Sequence, residues 1–117
     1  MTPHSSFISF LVLLLYLSTS CSKDDVPSDV PPCIRTLIRD FSKDDSTCDG
    51  SARVGEYRFE GQVVFAFDPG NCGADLGGNV YDSNCNVLGF LGGFTGNTKI
   101  NGVEFSTATL IRVIWDN

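Results

Sequence analysis

The chain has 117 residues, with 8 Lys plus Arg against 14 Asp plus Glu and a formal net charge of −6. That balance excludes a binder of nucleic-acid backbone, which needs a basic face, and it argues against holding an anionic lipid surface by charge. It suits solubility and a cationic partner.

In chain order, residues 7–17 come first and are apolar except for Ser9. The run is shorter than the roughly 20 apolar residues a membrane-spanning helix needs, and it has the length of a secretory h-region. Leu17-Ser18-Thr19-Ser20-Cys21 resembles the lipobox of bacterial lipoproteins, in which the cysteine is acylated and the chain is cut just before it. It departs from that pattern at Ser18, where Leu is usual, and in lacking Lys or Arg before the apolar run. Cys21-Ser22-Lys23-Asp24-Asp25 is similar to the acidic export signal of Bacteroidota lipoproteins. These resemblances imply a signal peptide over residues 1–20, lipidation at Cys21, and an outer-membrane protein displayed at the cell surface. The membrane is then a partner through the N-terminal lipid, at about 0.8 kcal/mol per buried CH2.

Residues 22–32 are polar and proline-rich and read as a semi-extended tether. One small domain is expected over residues 33–117. A core of that size is marginal without staples. Setting Cys21 aside, four of the five cysteines remain, and an even number in an exported chain implies two disulfides. Of the three connectivities, Cys33–Cys48 with Cys72–Cys85 brackets two compact units and is the one expected. A four-thiolate zinc site is the competing reading, and the absence of any Cys-x-x-Cys pair counts against it.

Ile34, Leu37, Ile38 and Phe41 recur at i, i+3, i+4 and i+7, which predicts a core-facing helix with Arg35, Arg39, Asp40 and Lys43 on its other face. Pro31-Pro32 suits its start. Tyr57 and Phe59, then Val63, Phe65 and Phe67, alternate around Glu60-Gly61 and predict two strands joined by a tight turn. Val64 falls on the second face, which the helix is expected to cover. Residues 80–82 and 87–91 flank Ser83-Asn84-Cys85-Asn86 as a second hairpin. Residues 107–115 are apolar on both faces and predict a final, central strand. One helix followed by a run of strands is an α+β pattern: an N-terminal helix packed on a small antiparallel sheet.

The catalytic inventory is thin. The one histidine, His4, lies in the segment expected to be removed, so His-dependent nucleophilic chemistry and imidazole-ligated zinc are not expected. With the cysteines paired or acylated, no free thiol is expected either, and no cofactor is implied. Asp82-x-Asn84-x-Asn86 starts like an EF-hand loop, but Val87 and Gly93 stand where Gly and Glu are required. Asp75, Asp82 and Asn84 remain a weak Ca2+ candidate beside the simpler role of turn capping. Residues 89–96 fit neither glycine-rich phosphate motif. Phe90 and Phe94 are expected in the core; exposed, they would form an apolar binding tip. Asp45-Ser46-Thr47 resembles a Bacteroidota O-glycosylation triplet.

Taken together, Val54-x-Glu56-Tyr57-x-Phe59-x-Gly61, Cys72-Gly73-Ala74-Asp75, Tyr81-Asp82 with Cys85 and Leu88-Gly89, Leu91-Gly92-Gly93-x-Thr95-Gly96-Asn97 and Ile114-Trp115-Asp116-Asn117 resemble a family of small Bacteroidota lipoproteins known only as a domain of unknown function. Many members have a double cysteine followed by Asp, and a Gly-Asp-Gly loop after Gly-Gly. The single Cys72 and Asn97-Thr98-Lys99 make this a divergent member. The resemblance implies no activity. The expectation is a non-enzymatic binding module for an envelope or extracellular protein or ligand. Its candidate loops are residues 89–102 and 69–75, and its candidate contact residues are Phe90, Phe94, Thr95 and Asn97. The alternatives are a small carboxylate-dependent hydrolase using Asp75, Asp82 and Glu104, and a structural accessory subunit of an envelope complex.

Overall fold

The computed structural model describes residues 26–44, 50–71 and 76–117. Helix α1 spans Pro32–Ser42, with a proline in its first turn, where a missing N–H costs nothing. Strands β1 (Arg53–Phe59), β2 (Gln62–Asp68), β3 (Gly77–Asp82), β4 (Val87–Gly92) and β7 (Thr109–Asp116) form one antiparallel sheet, in the order β4-β3-β2-β1-β7. Two short strands, β5 (Lys99–Ile100) and β6 (Val103–Glu104), pair separately and lead into a 3-10 turn at Phe105–Thr107. The α+β expectation therefore holds, with one helix against a five-stranded sheet.

The sheet is covered on both faces. On one, Ile34 and Ile38 of α1 bury against Val54, Phe65, Phe67, Ile114 and Trp115, and Phe41 meets the Phe67 and Trp115 rings edge-on at 5.2 and 5.7 Å. On the other, Phe59, Val64 and Val80 bury against Ile100, with Val103 and Phe105 alongside. The apolar second face is thus covered by β5, β6 and the 3-10 turn, and not by the helix.

The β1–β2 turn explains a second difference. Glu60 and Gly61 both have positive φ, 51° and 80°, the geometry of a two-residue type I′ hairpin. That turn sets Phe59 opposite Gln62 and Tyr57 opposite Val64. An odd-numbered β1 residue therefore shares its face with an even-numbered β2 residue. Tyr57 and Phe59 lie on the second face, while Val63, Phe65 and Phe67 face the helix.

Strand β7 is an edge strand, not the expected central one. Its pairing with β1 shifts register twice, and Leu110, Ile111 and Val113 are exposed. Register shifts twist an edge and blunt its use as a pairing template. Residues 26–31 were expected to belong to a free tether, yet Val30 is buried in the helix-side core and Val26 packs on it. Asp29 also accepts from Arg112 at 3.0 Å, and Arg112 donates to Glu56 at 2.8 Å. One buried valine in a proline-rich stretch has no periodicity to betray it.

The cysteine pairing is corrected as well. Cys33 at the start of α1 is bonded to Cys85 in the β3–β4 turn. Each cysteine makes one such bond, so neither Cys33–Cys48 nor Cys72–Cys85 forms. Sequence compactness favoured short loops, whereas the packing of α1 across the sheet brings its first turn to the far hairpin. Cys21, Cys48, Cys72, Asp75 and the Asp45-Ser46-Thr47 triplet lie outside the described residues. Among the described residues, no helix is long and apolar enough to cross a membrane.

Candidate functional site

The glycine-rich segment after β4 is a turn held in a fixed shape. Gly92 and Asn97 exchange backbone hydrogen bonds at 2.8 and 3.1 Å, and Gly96 N donates to Gly93 O. The Asn97 amide donates to Phe90 O at 2.6 Å and to Lys99 O at 2.8 Å. One side chain thereby ties the end of β4 to the start of β5. Gly92, Gly93 and Gly96 have positive φ, which lets the chain reverse so tightly. The reversal carries Phe94 outward, and it is 88% exposed. Thr95 is exposed beside it. The expected burial of Phe94 is overturned: the tight turn directs its ring away from both cores of the described residues.

Phe90 is not in the core either: it is 45% exposed, at the rim of the sheet. Its ring lies against Gly77 and Gly93, so that a Cβ on either glycine would meet it at 2.7 or 2.8 Å. There it closes a groove of about 290 Å³ between α1 and β3, with Asp40, Phe41, Asn79 and Tyr81 among the walls. Asn79 Nδ2 donates to the Tyr81 hydroxyl at 3.1 Å, and Tyr81 meets Phe67 edge-on at 5.1 Å. Aromatic walls with a carboxylate at the rim suit a positively charged or hydroxylated group. Sequence reasoning found Phe90 but missed its partners in the groove. The i, i+4 spacing of Asp40 and Asp44 on one flank of the helix was the available signal.

The other candidate residues have local duties. Asp82 Oδ1 accepts from the backbone N–H groups of Asn84 and Asn86, each at 2.9 Å, and Oδ2 accepts from the Asn86 side chain at 3.1 Å. These bonds, those from Asn86 foremost, lower the Asp82 carboxyl below its ordinary value. A depressed acid contributes stability above its unfolded value, and that contribution is lost as pH falls through the folded one. Replacing Asp82 with Ala should therefore weaken the domain to urea near neutral pH, and the difference from the parent should vanish in strong acid. An equal deficit in acid and at neutrality would show that the carboxylate's charge is irrelevant to the turn. Asn84 exposes its side chain on the same turn. Glu104, on β6, accepts from Thr98 at 3.1 Å. Asp82 and Glu104 thus serve different hairpins. No group of three or more His, Cys, Asp or Glu placed to hold a metal ion occurs among the described residues.

A family model described as a domain of unknown function (DUF6970) matches residues 41–117. The match takes in every strand and both the loop and β3 walls of the groove, while most of α1, with Cys33, precedes it. No curated protein and no solved structure matches the chain.

Proposed function

The chain belongs to DUF6970, a domain of unknown function, and from that premise we propose that it is a lipid-anchored protein of the outer membrane, displayed at the cell surface, that works as a non-catalytic binding module. The observation that carries the reading is Phe94. A phenyl ring 88% exposed on a turn braced by Asn97 is an apolar contact held ready at no further ordering cost. Burying it in a partner is worth about 1.5–3 kcal/mol. The anchor rests on the Leu17–Cys21 motif and the acidic residues after it.

Two variants test the two halves. Phe94→Ser should change stability by no more than about 0.5 kcal/mol, the range of surface substitutions, and so barely move the thermal midpoint. A photo-crosslinker placed at position 94 should give a discrete adduct on intact cells that one at Glu60, on the β1–β2 turn, does not give. Loss of folding in Phe94→Ser, or identical adducts from both positions, would end the loop reading. Cys21→Ser should move the protein from the detergent-soluble membrane fraction to the aqueous one; if it stays with the membrane, the lipid is not its anchor.

A further inference from the structure

Helix α1 and the two residues that follow it, Lys43 and Asp44, are polarised across their width. Asp40 and Asp44 line the aromatic groove on one flank. Arg35, Arg39 and Lys43, a row at i, i+4 and i+8, line a separate groove of about 480 Å³ on the other flank, with Trp115 and Val26. Three of the chain's eight Lys plus Arg residues gather there, on a molecule of net charge −6. Among the described residues none of the three takes part in an ion pair, whereas Arg53 and Arg112 each do. Like charges four apart on a helix repel. The negative end of the helix favours Arg39 and Lys43, but Arg35 lies near the positive end, where a cation is disfavoured. Its guanidinium is nevertheless fixed over the groove by a bond to Pro27 O at 3.4 Å. Three cations gathered on one groove, none of them ion-paired among the described residues, mark a place where a group of opposite charge can complete the arrangement.

We propose that this groove binds a phosphate or sulfate group. The two guanidinium groups offer planar forks matched to a tetrahedral oxyanion, Lys43 adds a point charge, and the Trp115 ring supplies an apolar wall for the group that carries the anion. Screening limits the reach of the more distant carboxylates to about 8–10 Å, and the nearest two, Asp40 and Asp44, line the other groove. The site is independent of the Phe94 loop.

Trp115 is the chain's single tryptophan, so its fluorescence reports on the groove directly. The full chain in neutral detergent is titrated with inorganic phosphate and pyrophosphate at constant ionic strength, with chloride as reference. A saturable change is expected with the phosphates only. Arg39→Glu and Lys43→Gln should each weaken it about tenfold or more, as the loss of a charge-assisted contact requires. Both side chains are exposed, and unchanged thermal midpoints show that the fold is intact; Phe94→Ser should leave the response untouched. Mixed micelles of phosphatidylglycerol, compared with phosphatidylcholine, separate the sources. A response to the anionic micelle alone assigns a lipid headgroup, and a response to free phosphate assigns a soluble anion. Equal responses to chloride and phosphate, no response to any of the probes, or full response in both groove variants would overturn the proposal.

Discussion

Replacing Cys33 and Cys85 together with Ser should lower the domain's stability by about 4 kcal/mol, the loop-entropy value for a bridge of this span. The two cysteines are 52 residues apart, so their bond closes most of the described domain into one loop and removes many conformations from the unfolded chain. For a domain whose whole stability is about 5–15 kcal/mol, that is a large share. The thermal midpoint should fall by roughly 15–30 °C, at about 4–8 °C per kcal/mol for a domain of this size. The bond also fixes α1, whose buried face is narrow: Ile34 and Ile38 are its buried residues. Without it, the helix would rest on those two and on the Phe41 ring contacts. Thermal melts of the double variant, and of the parent with reductant, measure the effect. A midpoint that ignores both would mean that packing alone seats the helix. A non-reducing peptide map should recover Cys33 joined to Cys85; peptides joining Cys33 to Cys48 or Cys72 to Cys85 would show instead that each bridge closes a short loop.

The helix and the hairpins were legible because their signals are local. Ile34, Leu37, Ile38 and Phe41 declare a helical face within eight positions, and Glu60-Gly61 declares a turn within two. What escaped was whatever depends on how one element sits on another. The faces of β1 and β2 turn on a parity set by the exact length of the turn, and a one-residue error flips every side chain. The edge position of β7 is hidden because Leu110, Ile111 and Val113 read as a strand buried on both faces, although the register shifts against β1 leave them exposed. The β5–β6 pair is too short to carry a pattern, yet Ile100 is wholly buried and completes the second core. The grooves on either side of α1 need the helix to be placed before Asp40 can share a groove with Tyr81, or Arg39 with Trp115. Phe94 was legible as a residue but not in its setting, since exposure follows from the Asn97 brace.

Gly78→Ala should be the most damaging single methyl group that can be added to this chain, at about 3 kcal/mol or more. Gly78 has no positive φ, so backbone conformation gives no reason for glycine there. The reason is steric: a Cβ would overlap the carbonyl oxygen of Phe67 on the neighbouring strand. The β2–β3 ladder pairs Val64, Phe65 and Ala66 with Asp82, Tyr81 and Val80, and beyond that point β3 passes over β2 with room only for hydrogen. A side chain must either break this approach or push Phe67 out of the core it shares with Phe41 and Tyr81. Gly61→Ala is the matched control. Its φ is 80°, with nothing within 4 Å of the added carbon, so it should cost only the conformational penalty of about 1–2 kcal/mol. Urea midpoints of the two variants separate the steric cost from the conformational one. If Gly78→Ala proves as mild as Gly61→Ala, the close passage of β3 over β2 is not rigid. The groove walled by Phe90 and Tyr81 would then rest on a movable floor, because Gly77 and Gly78 both line it.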